Sequence, residues 1–208
     1  MESSNVTPVE SRAVSRAERE ARQGHRAGVL WLTGLSGSGK STIALAAERE
    51  LFGAGARVYM LDGDNLRTGL CGDLGFGLDD RAENICRVAE TARLFVSAGH
   101  LVLCSFVSPT QAVRDRACGI IGAADFHEVF VDADLATCER RDVKGLYARA
   151  RRGEIRGFTG IDSPYEAPTA PSLVLPSASE SVPACTEMLL TFARERFGVP
   201  AAHAPDHA

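Results

Sequence analysis

The stretch GLSGSGKST, from Gly34 to Thr42, matches the phosphate-binding pattern G-x-x-x-x-G-K-[ST] at every fixed position. Its glycines allow backbone N–H groups to turn toward phosphate oxygens, and the helix that the loop opens adds the positive end of its dipole. Lys40 is long enough to reach the β- and γ-phosphates of a nucleotide, and Ser41 can ligate Mg²⁺. We therefore predict that ATP is bound by Gly34, Gly37, Ser38, Gly39, Lys40, Ser41 and Thr42.

A second group with possible chemistry is LDGDNLR, which follows the apolar run VYML. Carboxylates at the carboxyl end of a parallel strand face the ligand crevice of an α/β sheet. Asp62 and Asp64 are two residues apart, so an extended chain would point both side chains the same way. One could hold Mg²⁺ while the other accepts a proton from an attacking hydroxyl, and Arg67 could pair with a substrate phosphate. The alternative for these residues is a turn with solvated carboxylates.

The stretch DLGFGLDDRAENICR follows shortly after. Phe76 is a candidate platform for stacking a base, and Asp80 could cap the helix that comes next. Arg81, Asn84 and Arg87 are spaced by three, so a helix would place them on one positively charged face. The alternative for that face is an ordinary solvated helix surface.

These groups alternate with nearly continuous apolar runs, which are typical of parallel strands covered on both faces. Strand–helix alternation of this kind predicts a three-layer α/β fold with a mainly parallel five-stranded sheet. The predicted strands are 29–33, 58–61, 101–106, 129–131 and 173–175. The predicted helices are 40–52, 80–97, 109–121, 135–141 and 180–197, and residues 11–23 could add a surface helix.

The segment from Arg141 to Pro171 interrupts this alternation, because it is basic at first and then rich in Gly and Pro. A long loop-like insertion in a compact domain is usually a functional lid or disordered, and the composition here favours a basic lid at about 143–171. Cationic side chains for anions and aromatic ones for packing or stacking are Lys144, Arg149, Arg151, Arg152, Arg156, Tyr147, Phe158 and Tyr165.

The bulk properties exclude several classes of protein. A net charge of −4 gives no support to general nucleic-acid binding, and no apolar run is long enough to cross a bilayer. The six cysteines form no CxxC pair, so reduced thiols in a cytoplasmic protein are the prediction, although one regulatory disulfide stays open. We divide the chain into a polar N-terminal extension (1–24), one domain (25–199) and a disordered tail (200–208).

The motifs together resemble a known family. The series GLSGSGKST, LDGDNLR, DLGF, DRAENI, SFVSP, RDVKGLY and GEIRGFTGIDSPYE, in this order, is similar to adenylyl-sulfate kinases, also called adenosine 5'-phosphosulfate (APS) kinases. The similarity covers about Arg26 to Leu175. The phosphate loop is shared by many families, whereas DGDNLR combined with FTGIDSPYE is far more specific.

The resemblance narrows the predicted three-layer α/β fold to a P-loop kinase fold. It implies transfer of the ATP γ-phosphoryl to the 3'-hydroxyl of APS, giving PAPS and ADP in sulfate activation. It implies a requirement for Mg²⁺, held by Ser41 and Asp62, and a homodimer, with ATP sulfurylase as a possible partner. Lys40, Asp62, Asp64, Ser108 and Lys144 would be catalytic. The APS site would comprise Asp64, Asn65, Leu66, Arg67, Phe76, Arg81, Ala82, Glu83, Asn84, Val107, Ser108, Lys144, Gly157 and Phe158, with the two phenylalanines enclosing the adenine.

Some descriptions of the family place a phosphoserine intermediate at the position of Ser108. We favour direct in-line transfer, which needs positioning and charge neutralisation without a covalent step. Asp64, or else Asp62, is then the candidate base. The lid would shield the phosphoryl donor from water.

Three departures keep alternatives open. The family usually has Asn at Cys71 and a second Arg at Cys86, and it usually has an aromatic residue followed by a polar or basic one where Thr110 and Gln111 stand here. A lost charge-assisted contact is typically worth ~1.5–3 kcal/mol. The alternatives are a related kinase with another nucleotide-like acceptor, and a non-catalytic nucleotide-binding subunit of a sulfate-activating complex. A GTPase is disfavoured because no N-K-x-D-type motif is present.

Overall fold

The computed structural model describes residues 14–201. The strands are β1 (Gly28–Thr33), β2 (Val58–Asp62), β3 (Leu101–Ser105), β4 (Phe126–Val131) and β5 (Leu173–Leu175). The helices are α1 (Arg16–Gln23), α2 (Lys40–Gly53), α3 (Gly63–Leu66), α4 (Leu78–Ser97), α5 (Gln111–Ile121), α6 (Leu135–Arg141), α7 (Leu146–Arg151) and α8 (Val182–Phe197).

The five strands form one sheet in the order β2-β3-β1-β4-β5, and every pairing is parallel. Alternate residues of β1 enter different cores because side chains of a strand point to opposite faces. Leu30 and Leu32 pack with α2 and α8, while Val29 and Trp31 pack with α4 and α5. The three-layer α/β prediction is therefore confirmed, and the sheet is all-parallel rather than mainly parallel.

The prediction of strands covered on both faces holds fully for β1 and β3 only. All described positions of β1 and β3 are buried, whereas β2, at one edge, has one buried residue, and β4 alternates between buried and half-buried. Burial in a sheet depends on which strands become edges, and the order of strands is a tertiary property.

Helix starts follow capping chemistry. Thr110, Asp134 and Ser181 accept N–H groups at the starts of α5, α6 and α8. The prediction that Asp80 caps α4 was wrong. Gly77 is the N-cap, and Asp80 lies in the first turn, where its negative charge interacts favourably with the positive end of the helix dipole.

The chain before β1 contains α1, which starts at the capping box of Ser15 and Glu18. Arg16 fixes this helix to the rest of the molecule, since its guanidinium donates to both carboxylate oxygens of Asp125 at 2.6 and 2.7 Å and to the Ala27 carbonyl. Most of the predicted disordered tail, 202–208, lies outside the described residues. No helix within 14–201 is long and apolar enough to span a membrane.

Candidate active site

The glycine-rich loop joins β1 to α2 at the carboxyl edge of the sheet, as its motif requires. Gly37 and Gly39 have φ values of +77° and +99°, in the region that side-chain-bearing residues avoid. Gly34 is also fixed by space, because an added Cβ would lie 2.6 Å from the Val131 carbonyl oxygen. These positions require glycine, as the tight backbone of a phosphate-binding loop does.

Lys40 is buried at the first position of α2. Its ammonium donates to the carbonyl oxygens of Gly34 and Leu35 at 2.9 and 2.7 Å. Burial lowers the pKa of Lys40 to about 8, because removing the charged form from water is unfavourable. A phosphate placed in the loop would supply the counter-charge that carbonyl dipoles supply only in part.

Ser41 and Asp62 lie together at the end of β2. The Ser41 hydroxyl donates to Asp62 Oδ2 at 2.7 Å and lies 3.0 Å from the Ser105 hydroxyl. A hydroxyl and one carboxylate are a donor set that suits Mg²⁺, which usually takes few protein oxygens and completes its shell with phosphate and water. Within the described chain no three His, Cys, Asp or Glu side chains form a metal site on their own.

Asp64 does not align with Asp62 along an extended chain, so that part of the sequence prediction was wrong. Asp62 is the N-cap of the short helix α3, and its Oδ1 accepts the Asp64 N–H at 3.0 Å. The two carboxylates consequently separate: Asp62 pairs with the phosphate-loop helix, and exposed Asp64 contacts the Lys144 ammonium from the lid. Local capping by an Asp side chain competes with the extended conformation that the spacing argument assumed.

Arg67, Phe76 and Arg81 form one cluster beside α3. The Arg67 guanidinium lies over the Phe76 ring, 4.3 Å from its centroid, and also donates to the carbonyls of Leu74 and Gly75. Arg81 Nε donates to the Phe76 carbonyl at 2.8 Å. The Phe76 ring is 68% exposed, so one large aromatic surface is held in place but left open.

Arg81 also contacts residues 157–159, in the segment predicted to be a lid. It donates to the Gly157 carbonyl at 2.6 Å and to the Thr159 hydroxyl at 2.9 Å, on either side of Phe158. Burial lowers the pKa of Arg81, with the Arg67 charge acting in the same direction. The Asp162 carboxylate accepts the N–H groups of Gly157 and Phe158, which fixes the loop from its other side. Phe158 is thereby connected to the Phe76 cluster.

Asn84 is buried in α4, and its Oδ1 has no hydrogen-bond partner within residues 14–201. An acceptor left unpaired in a buried position costs about 1–3 kcal/mol, so such atoms are rare and are expected at sites completed by a ligand. A donor group on a bound acceptor, such as an amino or hydroxyl group, would satisfy it.

Ser108 has φ +37°, in the left-handed region that residues with side chains rarely adopt. Backbone strain of this kind costs about 1–3 kcal/mol and is found mainly at functional sites. Its hydroxyl is buried, donates to Thr33 Oγ1 at 3.0 Å and accepts the Trp31 indole N–H at 3.1 Å. The Val107 carbonyl accepts the Thr33 hydroxyl at 2.8 Å.

The remaining predicted site residues have weaker connections to this cluster. Glu83 pairs with Arg87, which also binds Asp73, so the predicted positive face of α4 is neutralised at Arg87. Thr42 and Asn65 are exposed, and Leu66 and Ala82 are half-buried.

The segment predicted to be a lid, 143–171, is less loop-like than the sequence predicts, and much of its positive charge is paired. It contains α7, and three of its arginines are paired locally: Arg149 and Arg152 with Glu154, and Arg151 with Glu139. Lys144 and exposed Arg156 are the cations that face other partners or solvent. A glutamate inside the segment offsets charge that a simple count of cations misses.

The model of the adenylylsulphate kinase family matches residues 26–176. This chain belongs to that family. An adenylyl-sulfate kinase from Shewanella amazonensis is 57% identical over 163 residues, covering 78% of this chain and 82% of that protein. One from Geotalea daltonii is 52% identical over 185 residues, covering 89% and 91%.

Solved structures agree with this membership. The Mycobacterium tuberculosis APS kinase in complex with AMPPNP and APS has a TM-score of 0.77 at 49% identity, covering 80% of this chain and 97% of that one. A gluconokinase from Sinorhizobium meliloti has a TM-score of 0.56 at 16% identity, covering 81% of this chain and 92% of that one, which is a likeness of fold alone.

This adenylyl-sulfate kinase family member also has supporting residues that the sequence did not reveal. Tyr147 donates to the Ser36 carbonyl at 2.8 Å, and Ser177 donates to the Ser38 carbonyl at 2.7 Å. Arg141 donates to the Ser177 carbonyl at 2.5 Å. The bonds from Tyr147 and Ser177 hold loop carbonyls from outside, Arg141 fixes Ser177 in turn, and no motif signals these contacts. Ser105 does have a signal in the sequence, since it is a polar residue near the end of the apolar run LVLCSF. The structure pairs it in register with Asp62 at the carboxyl end of β3.

Of the residues that depart from the family pattern, Cys71 and Cys86 are buried free thiols, and burial raises the pKa of each. The cysteines are therefore poorly suited to act as nucleophiles at neutral pH. Thr110 has a structural use as the N-cap of α5.

Proposed function

We propose that this protein transfers the γ-phosphoryl group of ATP to the 3'-hydroxyl of APS, forming PAPS and ADP. The observation that carries the proposal is the position of Arg81. Its guanidinium donates to the Phe76 carbonyl and to the residues on either side of Phe158, so it connects the exposed Phe76 ring to the Phe158 loop. A planar base fits between two aromatic side chains, and the guanidinium groups of Arg67 and Arg81 favour an anionic acceptor.

In this mechanism the glycine-rich loop and Lys40 bind the donor phosphates. Ser41 and Asp62 would hold Mg²⁺, which neutralises charge on the phosphates when bound. Asp64 accepts the proton of the acceptor hydroxyl while the hydroxyl oxygen forms a bond to the γ-phosphorus. The bond from that phosphorus to the β-phosphate oxygen breaks, and its electron pair leaves with ADP.

The full set of predicted site residues belongs to this proposal. Lys144, which contacts Asp64, would orient the base and the acceptor from the lid. Ser108 has a buried hydroxyl that is bonded to Thr33 and Trp31, which supports a positioning role and direct transfer rather than a phosphoserine. Shielding by the lid would limit hydrolysis of ATP.

The domain, assembly and location are proposed with the same reaction. The catalytic unit would be 25–199 with a lid at about 143–171, acting as a homodimer, as members of the family typically do. Free cysteines, all six of them in the described chain, support a reducing cytoplasm. An ATP sulfurylase would supply APS, with or without stable association.

The test is ADP release from Mg-ATP by the purified protein with APS, without acceptor, and with AMP and other adenylates. The product is identified by mass, and Lys40→Ala serves as the inactive control. Turnover that depends on APS and yields PAPS is expected. ATP binding without such turnover would overturn the proposal, and turnover with another adenylate would identify a different acceptor.

A further inference from the structure

Tyr147 lies between the two substrate regions. It is the second residue of α7 and is buried. Its hydroxyl donates to the Ser36 carbonyl of the glycine-rich loop at 2.8 Å. The Tyr147 ring packs edge-to-face with the Phe158 ring, with centroids 5.0 Å apart and an angle of 82° between the ring planes.

Both ends of this connection are firmly held. Phe158 is flanked by the two residues that Arg81 binds, and its own N–H is bonded to Asp162. Ser36 precedes Gly37 within the loop, where the backbone conformation is constrained. Leu35 of the loop packs in the same apolar cluster as Phe158, and Tyr147 adds a hydrogen bond from that cluster to the Ser36 carbonyl. A displacement of Phe158 can therefore reach the loop backbone through the Tyr147 hydroxyl.

Tyr147 is itself fixed by its surroundings. The Asp142 carboxylate accepts the N–H groups of Tyr147 and Ala148, both at 3.0 Å, at the start of α7. Burial raises the pKa of Tyr147, so its hydroxyl stays a donor through the neutral range. Coupling between sites needs such contiguous contacts between elements that each ligand can bias.

We propose that Tyr147 is a positioning residue that couples the acceptor site to the glycine-rich loop, so that APS and nucleotide strengthen each other's binding. A base stacked on Phe158 would hold that ring against Tyr147 and keep the hydroxyl on Ser36, which orders the loop for phosphate. This inference rests on the proposed function, because it takes APS as the ligand at Phe158. Linkage requires the strengthening to be equal in both directions.

The experiment is calorimetric titration of the full-length protein with Mg-AMPPNP, with and without saturating APS. Tyr147→Phe keeps the ring and removes the hydroxyl. Tyr165→Phe is the matched control, because Tyr165 is a lid tyrosine whose hydroxyl lies 3.1 Å from Thr33 rather than on the loop. Circular dichroism melts of both variants establish that each is folded.

In the wild type we expect APS to tighten AMPPNP binding about fivefold or more, which is the lower end of ordinary coupling. In Tyr147→Phe the factor should fall below about twofold, and in Tyr165→Phe it should stay at the wild-type value. The KM for APS of Tyr147→Phe should become insensitive to ATP concentration, a readout that simple destabilisation would not move.

Each other result overturns the inference. APS that binds with no tightening in the wild type, equal coupling in wild type and Tyr147→Phe, or equal loss in both variants would exclude a specific role for the Tyr147 hydroxyl. If APS fails to bind the wild type, the proposed function falls and this inference falls with it.

Discussion

At the scale of single residues, the site depends on groups whose charge is set by burial. Lys40 is the clearest case, since desolvation lowers its pKa to about 8 and its ammonium is the charge nearest to the phosphate loop. A lysine with a lowered pKa binds fewer protons in the folded state than in the unfolded state between pH 8 and its ordinary value. Lys40 therefore lowers the free energy of unfolding in full below about pH 8, and this cost disappears as the pH rises from about 8 to the ordinary pKa of a lysine.

Nucleotide binding should show the opposite trend. Above pH 8 the free protein loses the Lys40 proton that phosphate binding needs, so we expect the Mg-ATP Kd to rise by up to about tenfold per pH unit. Lys40→Arg should bind more weakly but with a flat profile, because a guanidinium stays charged. Fluorescent-nucleotide titrations from about pH 6.5 to about pH 9.5 measure the Kd of both proteins across the range in which Lys40 titrates. Parallel pH profiles of the two Kd values would contradict the prediction.

The separate positions of the two carboxylates predict separate effects. Asp64→Asn should lower kcat by about 10²–10⁴, as loss of a general base does, with the Mg-ATP Kd nearly unchanged. Asp62→Asn should instead weaken Mg-ATP binding, because Asp62 bonds to Ser41. Steady-state kinetics combined with direct ATP titration distinguish them. A large loss of ATP affinity in Asp64→Asn would reverse the assignment.

At the scale of elements, the phosphate loop was predictable and the chain around it less so. The full pattern of glycines, Lys40 and Ser41, placed after the apolar run 29–33, was enough to predict the loop, its strand and its helix. The cap at Asp62 and the pairing of Arg87 with Asp73 were missed, since both depend on which side chain wins a local competition. The ion pairs of Arg149, Arg151 and Arg152 in the predicted lid segment were missed for the same reason.

The loop also provides a test of its own rigidity. Gly37→Ala forces a side chain into φ +77° and places Cβ 3.1 Å from the Cys138 carbonyl oxygen. We expect strain of about 1–2 kcal/mol and a roughly tenfold weaker Mg-ATP Kd. Gly119→Ala is the control, because that α5 glycine has open space around it. Equal affinity in the two variants would show that the loop yields easily.

At the scale of the whole molecule, the apolar pattern was enough to predict three layers, whereas the strand order, and hence which strand is exposed, was not predictable from it. The docking of α1 was also hidden, because its anchor Asp125 lies far along the chain from Arg16. Contacts of this sequence separation leave no periodic signal.

Removing that anchor should affect stability without affecting chemistry. Arg16→Ala deletes a two-pronged pair with Asp125 and a bond to the Ala27 carbonyl. Because the pair is partly exposed, we expect a loss of about 1–2 kcal/mol, or roughly 2–8 °C in Tm, with kcat unchanged. Arg22→Ala, on the exposed side of α1, should change Tm little. Thermal melts of the wild type and both variants measure these changes in Tm. Equal Tm shifts in Arg16→Ala and Arg22→Ala would contradict the role of Arg16 as an anchor.

The chain has a single tryptophan, Trp31. Its indole is stacked on Phe106 and bonded to the Ser108 hydroxyl, at the strained segment that borders the proposed acceptor site. The protein therefore carries its own optical reporter, a single indole that can be excited selectively over the tyrosines, with no signal from a second tryptophan. A change in indole emission on mixing with APS in a stopped-flow instrument would time the arrival of the acceptor, before any phosphoryl group has moved and without an attached dye.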